Sequence, residues 1–279
     1  MAKKIQETPT NLTREELSNL SRVTTDVFFF SLFCYVIHPV RGKVRFELYP
    51  YQKAVLYQFI LQRFNILLKF RQAGITELIS MYCLWLASYH PNKKINIISI
   101  KDTTAKKVLK KIKFMYKNLP WYMQTPIING RTGEFGSASM IEFDNGSFIE
   151  SIPTSSEAGR SESLSLLVID EAAIVRWASA IWAAAFPTLS TGGSAIINST
   201  PYGMGNFYHS TWVDAIAGGN PFNAIRLYWQ MHQNEINHGM IKWLLHWVQK
   251  ELLKKSMETF FLQVIQYLIW QISRLSKIA

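Results

Sequence analysis

Residues 64–76 have the sequence FNILLKFRQAGIT, a short apolar segment followed by a polar turn. The apolar part predicts a buried strand over 64–70, and the pattern after it predicts a helix over about 77–88. A turn between a buried strand and a helix is where phosphate-binding loops occur, because the backbone N–H groups and the helix N-terminus bind an anion together. The stretch predicts either a phosphate site or an ordinary strand–turn–helix.

The turn matches the phosphate-loop pattern GxxxxGK[ST] in part. Gly74 is its second glycine, and Thr76 is the hydroxyl residue that ligates Mg²⁺. Lys69 replaces the first glycine, and Ile75 replaces the usual lysine. Since that lysine neutralises charge on the β- and γ-phosphates, Lys69 and Arg71 are the candidates to take over its role, and arginine could do so with bidentate geometry.

A second apolar strand ends in two carboxylates, in the sequence LLVIDE over 166–171. A strand tip of this kind predicts that Asp170 faces a metal ion and that Glu171 orients and polarises a water for in-line attack on a γ-phosphate. An acidic helix cap after a strand is the alternative interpretation. Because the phosphate loop precedes this strand by about a hundred residues, the two together favour a site for ATP and Mg²⁺.

Apolar segments alternate with helical segments along the chain. The predicted buried strands are 64–70, 94–100, 164–169 and 194–198, and the predicted helices include 103–118 and 176–186. This alternation predicts an α/β fold with a mostly parallel central sheet covered by helices on both faces. Residues 139–153 alternate apolar and polar positions around Asn145-Gly146, which predicts an antiparallel hairpin insertion.

Composition restricts the classes of function. The 279 residues include 30 Lys and Arg against 19 Asp and Glu, a net charge of +11, which favours a polyanionic partner such as nucleic acid. Two cysteines cannot form a disulfide framework or a zinc site by themselves. The N-terminus lacks the pattern of a secretory signal, and the apolar runs 27–37 and 259–273 are too short or too polar to span a bilayer, so we expect no membrane partner.

A basic helix is predicted over 103–118. Nine lysines and one acidic residue lie between Lys93 and Lys117. Four of these lysines fall close to one helical face and are candidate contacts to DNA phosphates: Lys106, Lys110, Lys113 and Lys117. Such a stripe would bind DNA without reading its sequence, although a solvated outer face is an equally good interpretation.

Four segments in this order resemble motifs of the large terminase subunit of tailed bacteriophages, the motor ATPase that packages viral DNA. The segments are FELYPYQ (46–52), KFRQAGIT (69–76), SSEAGRSESLSLLVIDEAA (155–173) and NSTPYGMGNFYH (198–209). Together they lie within a resemblance over about 28–229. The resemblance implies a P-loop NTPase of the RecA-like type, with ATP and Mg²⁺ as its cofactors.

The resemblance also implies a role for each matching residue. Gln52 would recognise adenine, and Ser199 and Thr200 would sense the nucleotide state. The nucleotide phosphates would contact the loop that holds Lys69, Arg71, Gln72, Ala73, Gly74, Ile75 and Thr76. Asp170 would be the magnesium carboxylate and Glu171 the catalytic one.

Two arginines resemble the arginine fingers of the family. Arg71, inside the loop, would act in cis. Arg160, upstream of the acidic strand, would act in a neighbouring subunit, and a solvated loop arginine is the alternative for it. The resemblance further implies double-stranded DNA, a portal protein and a small terminase subunit as partners, a homo-oligomeric ring on the portal, and the host cytoplasm as the site of action.

The C-terminal part departs from the family. We expect a lead segment over 1–45, a P-loop ATPase domain over 46–230 and an atypical helical tail over 231–279. Large terminases continue into a nuclease with a cluster of acidic metal ligands, whereas only four acidic residues follow Glu171 here: Asp214, Glu235, Glu251 and Glu258. Since two-metal cleavage needs several carboxylates close together, we predict no nuclease activity. A truncated or frameshifted gene and a naturally split gene both explain the tail.

Two other functions are compatible with the sequence. A helicase-like DNA-dependent ATPase would use a similar motor core. A non-hydrolysing nucleic-acid-binding relic of a terminase would explain both Ile75 and the missing nuclease. Strand separation of a plain duplex would favour the helicase, and ATP binding without turnover would favour the relic.

Overall fold

The computed structural model describes residues 11–128, 135, 137–155 and 163–232. The chain divides into two compact units, Met1–Tyr228 and Trp229–Ala279. The described part of the second unit is one 3₁₀ turn, Trp229–His232. All elements discussed below belong to the first unit.

Nine β-strands occur in the described residues. They are β1 (Tyr35–His38), β2 (Gly42–Arg45), β3 (Phe64–Leu68), β4 (Lys94–Ile98), β5 (Met140–Glu142), β6 (Phe148–Ser151), β7 (Leu166–Asp170), β8 (Ser194–Ser199) and β9 (Asn223–Arg226). Strands β1 and β2 form a separate antiparallel pair. The other seven form one sheet in the order β5-β6-β4-β7-β8-β3-β9, in which only β5 is antiparallel to its neighbour.

Seven α-helices occur in the same ranges. They are α1 (Arg14–Thr25), α2 (Val27–Ser31), α3 (Pro50–Leu61), α4 (Ile75–Tyr89), α5 (Asp102–Lys117), α6 (Ala178–Ala185) and α7 (Phe207–Ala217). None of these described helices is long and apolar enough to cross a membrane.

The predicted fold class is confirmed: the chain is α/β with a mostly parallel sheet and flanking helices. The predicted antiparallel hairpin is also present, as β5 and β6. Strand β6 pairs in parallel with β4, so the hairpin extends one edge of the main sheet. The β1–β2 hairpin and the edge strand β9 were not predicted by the sequence patterns.

The register of the three central strands brings their carboxyl ends together. Strand β8 lies between β7 and β3, with Asn198 opposite Asp170 on one side and Ser199 opposite Leu68 on the other. The backbone N–H of Lys69 then donates to the carbonyl of Ser199 at 3.0 Å. The residues that follow β3, β7 and β8 therefore meet at one edge of the sheet, where ligands bind in open parallel sheets.

The packing of the core fixes the positions of the residues at this edge of the sheet. All five residues of β7 are buried, as are five of the six in β8. Helix α4 is apolar on most of its surface because it packs against the sheet and against α2, α3 and α5. A helix buried on several sides holds its N-terminus, and the loop before it, in a fixed position.

Ile197 provides a test of this core. Its side chain is fully buried in β8, between β7 and β3. We expect Ile197→Ala to lower the free energy of unfolding by about 2–5 kcal/mol, because the substitution leaves a cavity in the sheet. Val213→Ala, at a half-exposed position of α7, is the control and should change it by less than about 0.5 kcal/mol. Equal values for the two variants in urea denaturation would contradict the burial.

Candidate functional site

The loop between β3 and α4 has the backbone geometry of an anion site. Gln72 and Gly74 both adopt left-handed conformations, with φ of 63° and 65°. Gly74 is the N-cap of α4 and gives no side-chain hydrogen bond, so the first N–H groups of the helix face the cleft without a capping side chain. Backbone donors and the helix dipole at this position both favour a phosphate.

Two side chains of α3 hold the loop in position through hydrogen bonds. The Tyr51 hydroxyl and the Gln52 amide Nε2 both donate to the carbonyl of Ala73, at 3.0 and 3.1 Å. The other end of the Gln52 amide accepts from the backbone N–H of Tyr49 at 3.0 Å. A Cβ on Gly74 would lie 2.5 Å from Gln52 Nε2, so a substitution there would require this amide to move, and the φ of 65° favours glycine as well.

Gln52 is therefore part of the loop's support in this structure. Its side chain is only 1% exposed, and the protein occupies both polar ends of its amide. Recognition of adenine by Gln52 stays a prediction.

The two residues after Gly74 differ in orientation. The Ile75 side chain is 1% exposed and is part of the core, so it cannot replace a phosphate-binding lysine. Thr76 faces the sheet edge, where its hydroxyl Oγ1 lies 3.4 Å from Asp170 Oδ1. The hydroxyl and the carboxylate converge as Mg²⁺ ligands do in phosphate sites.

The residues around Asp170 fit a divalent cation. Asp170 is buried, and it lies opposite Asn198 of β8, whose side chain is also buried. No group of three or more His, Cys, Asp or Glu side chains that could hold a metal occurs in the described residues. The arrangement suits Mg²⁺, which is held by one or two protein ligands together with substrate phosphates and water.

Glu171 is fixed by contacts to both neighbouring loops. Lys69 Nζ forms an ion pair with its Oε1. The backbone N–H and the hydroxyl of Thr200 donate to its Oε2 at 3.2 and 3.3 Å. The Ser199 hydroxyl lies 3.4 Å from the same oxygen but donates at 2.8 Å to the carbonyl of Thr200. Glu171 has a left-handed backbone, φ 55°, a strained conformation that is common at functional sites.

The two carboxylates have opposite pKa shifts. Burial raises the pKa of Asp170 from its ordinary value, although the charge of Lys69 opposes the rise. Burial also acts to raise the pKa of Glu171, but the hydrogen bond and charge of Lys69, together with the Thr200 donors, outweigh it and lower that pKa. Glu171 is consequently ionised at neutral pH, which is the state required of a general base.

A polar cleft of about 260 Å³ lies above the loop. Its lining residues are Lys69, Gln72, Ala73, Gly74, Ile75, Thr76, Glu77, Lys111 and Glu171. Seven of these nine were predicted from the sequence. Glu77 and Lys111 were not, because their pairing depends on how α4 packs against α5.

Of the two predicted arginine fingers, only Arg71 belongs to the described residues. The Arg71 side chain is exposed and is not among the cleft residues. Arg160 lies outside the described residues, so its role stays a prediction. Of the residues that follow Glu171, the acidic residues Glu235, Glu251 and Glu258 also lie outside the described residues.

Not all four predicted lysines of α5 are equally available to contact DNA phosphates. Lys106 pairs with Asp102 at 2.5 Å within the helix. Lys113 donates to the carbonyl of Ser137, and its pKa is lowered by burial and by the charge of Lys117. Both Lys113 and Lys117 lie 5.2 Å from the centre of the Phe135 ring. Lys110 is exposed.

Comparisons with known proteins show which solved structures this fold is similar to. No known family profile matches the sequence. The large terminase of bacteriophage HK97 matches 82% of this chain at 18% identity, with a TM-score of 0.55. The large terminase of a thermophilic bacteriophage, solved in complex with ADP, matches 77% at 14% identity, with a TM-score of 0.53.

A mutant of the large terminase ATPase domain from Thermus phage P74-26 matches 77% of this chain at 17% identity, with a TM-score of 0.50. The match covers 92% of that domain, but only 47% of the HK97 protein and 52% of the ADP-bound terminase. The chain thus spans about half the length of the whole terminases it matches. The described unit has the fold of the ATPase domain of phage large terminases.

Proposed function

We propose that this chain is the ATPase part of a viral terminase, which couples ATP hydrolysis to translocation of double-stranded DNA into a procapsid. One observation supports the proposal most. Lys69, Thr76, Asp170 and Glu171, predicted separately from two distant motifs, meet around the loop between β3 and α4. This is the chemistry required for phosphoryl transfer, which depends on positioning and on charge.

The nucleotide phosphates would bind the N–H groups of Gln72, Ala73 and Gly74 and the start of α4. Thr76 and Asp170 would hold Mg²⁺, which would neutralise negative charge on the nucleotide phosphates. Lys69 is the only lysine of the loop itself, and its ammonium reaches the reacting region where it pairs with Glu171. We therefore assign to Lys69 the phosphate-binding role of the lysine that Ile75 replaces.

Hydrolysis needs a base for the attacking water. Glu171 would accept a proton from the water as its oxygen bonds to the γ-phosphorus and the bond from that phosphorus to the bridging oxygen of ADP breaks. Lys69 keeps the carboxylate ionised, and Thr200 fixes its orientation. Ser199 and Thr200 contact this carboxylate, and in this proposal they would respond to the nucleotide state.

Further roles are part of the proposal. Arg71 or Arg160 would supply positive charge to the transition state, Arg71 in cis and Arg160 from a neighbouring subunit of a ring. Gln52 would contact adenine. The partners would be double-stranded DNA, a portal protein and a small terminase subunit in the host cytoplasm. Residues 1–45, 46–230 and 231–279 would be a lead segment, the motor domain and a tail without nuclease activity.

The DNA contact can be tested at Lys110, the exposed member of the predicted stripe. We expect Lys110→Ala to reduce the slope of log affinity against log salt concentration by about 0.9, the value of one lost phosphate contact. Arg226→Ala is the control, because it also removes one positive charge but from β9, the edge strand of the main sheet on the side away from β5. An unchanged slope for Lys110→Ala, measured by fluorescence anisotropy on duplex DNA, would remove α5 from the DNA interface.

The function itself is tested by giving the full chain ATP and a duplex that bears a third strand. ATP-dependent displacement of the third strand, with the duplex intact, is the result expected of a double-strand translocase. Separation of the duplex strands would favour the helicase-like ATPase. Nucleotide binding with neither activity, also in the presence of portal protein, would favour the non-hydrolysing relic.

A further inference from the structure

Lys111 is a cleft residue that comes from α5, the basic helix that packs against α4. Its ammonium forms an ion pair with Oε1 of Glu77, in the first turn of α4. The two side chains are 39% and 20% exposed, so the pair lies at the mouth of the cleft rather than in the core. Both residues line the same cleft as Gly74 and Thr76.

Carboxylates outnumber cations around the loop, so a bound phosphate would need a further cation. Three carboxylates, those of Asp170, Glu171 and Glu77, surround the loop, and Lys69 is engaged by one of them. Ile75 is buried, so the helix itself presents no cation to a bound phosphate. Of the described residues that line the cleft, Lys111 is the one remaining cation.

Lys111 is also held differently from the other lysines of α5. Lys110, its neighbour, is exposed, and Lys106 pairs within the helix. Lys111 instead pairs across to the helix that begins at the phosphate loop. An exchange of partner from the carboxylate of Glu77 to a phosphate oxygen needs only a change of side-chain rotamer, because a lysine ammonium is a mobile point charge on a flexible stem.

We propose that Lys111 binds the terminal phosphate of the nucleotide and supplies, from another helix, a second cation beside Lys69. Glu77 holds the ammonium at the cleft mouth and competes with the phosphate for it. This inference rests on the proposed function, since it assigns a residue to the same nucleotide site. It predicts that Lys111 discriminates a nucleoside triphosphate from the diphosphate.

The test measures affinities of the full chain for ATPγS and for ADP, each with Mg²⁺, by isothermal titration calorimetry. We expect Lys111→Ala to weaken ATPγS binding by about 10- to 100-fold, the loss of a hydrogen bond between charged groups, and ADP binding by less than about threefold. Lys107→Ala, at an exposed position of α5 outside the predicted DNA-binding stripe, is the matched control and should change neither. Glu77→Gln should tighten ATPγS binding, and this gain should vanish when Lys111→Ala is also present.

If the Lys111–Glu77 ion pair is purely structural, the variants should give different binding results. Both Lys111→Ala and Glu77→Gln would then lower the melting temperature and weaken ATPγS and ADP equally, which would overturn the inference. Unchanged ATPγS binding by Lys111→Ala would also overturn it while leaving the proposed function intact. Failure of the unaltered chain to bind either nucleotide would reject both. Lys111→Arg, which keeps the charge, should restore most of the triphosphate affinity.

Discussion

Glu171→Gln is expected to reduce steady-state ATP hydrolysis by about 10²- to 10⁴-fold, the usual contribution of a general base. The glutamine keeps the size of the side chain and an oxygen that accepts from Thr200, but it cannot take a proton from water. Nucleotide affinity should therefore stay within a few-fold of the unaltered chain. The measurement pairs a phosphate-release assay with nucleotide titration.

Glu142→Gln is the control for this substitution, because Glu142 is exposed at the edge strand β5. It should leave both turnover and affinity unchanged. If Glu171→Gln hydrolyses ATP within about threefold of the unaltered chain, then Glu171 is not the base, and the left-handed backbone at this position has another cause.

Lys69→Met is expected to lower kcat/KM for ATP by about 10²- to 10³-fold, as removal of a preorganised electrostatic group does. Methionine keeps the unbranched stem of a side chain that is only 8% exposed, so packing is preserved. Asp170 and Glu171, however, lose the cation that stabilises both charged forms.

The same variant has a pH signature. Because Lys69 lowers the pKa of both carboxylates, removing its charge raises both pKa values. A carboxylate with a higher pKa is protonated at higher pH, so the acid limb of the pH–rate profile should move to higher pH in Lys69→Met. Lys43→Met, at an exposed position of β2, is the control. A profile that is lower but not displaced would contradict the role assigned to the ion pair.

Much of the site was predictable because its parts are local in sequence. An apolar strand, a glycine and a hydroxyl residue are contiguous in 64–76, and the acidic tip at 170–171 directly follows its own strand. The parallel sheet then forces these carboxyl ends to one edge. Register alone places Asn198 opposite Asp170 and Ser199 opposite Leu68.

Other features depend on packing and could not be predicted. The Lys69–Glu171 pair joins residues 102 positions apart, and the Glu77–Lys111 pair depends on the contact between α4 and α5. The β1–β2 hairpin was missed because its strands are short and mostly exposed or half-buried, which gives no clear alternation. Strand β9 lies at the sheet edge and contains four residues.

The most direct test is ATP hydrolysis by the purified full chain, measured with Mg²⁺ in the presence and absence of duplex DNA. We expect turnover that requires Mg²⁺, increases with DNA and disappears in Glu171→Gln. Nucleotide binding without any turnover that depends on Glu171, even with DNA and portal protein supplied, would contradict the proposal that this chain is a motor ATPase.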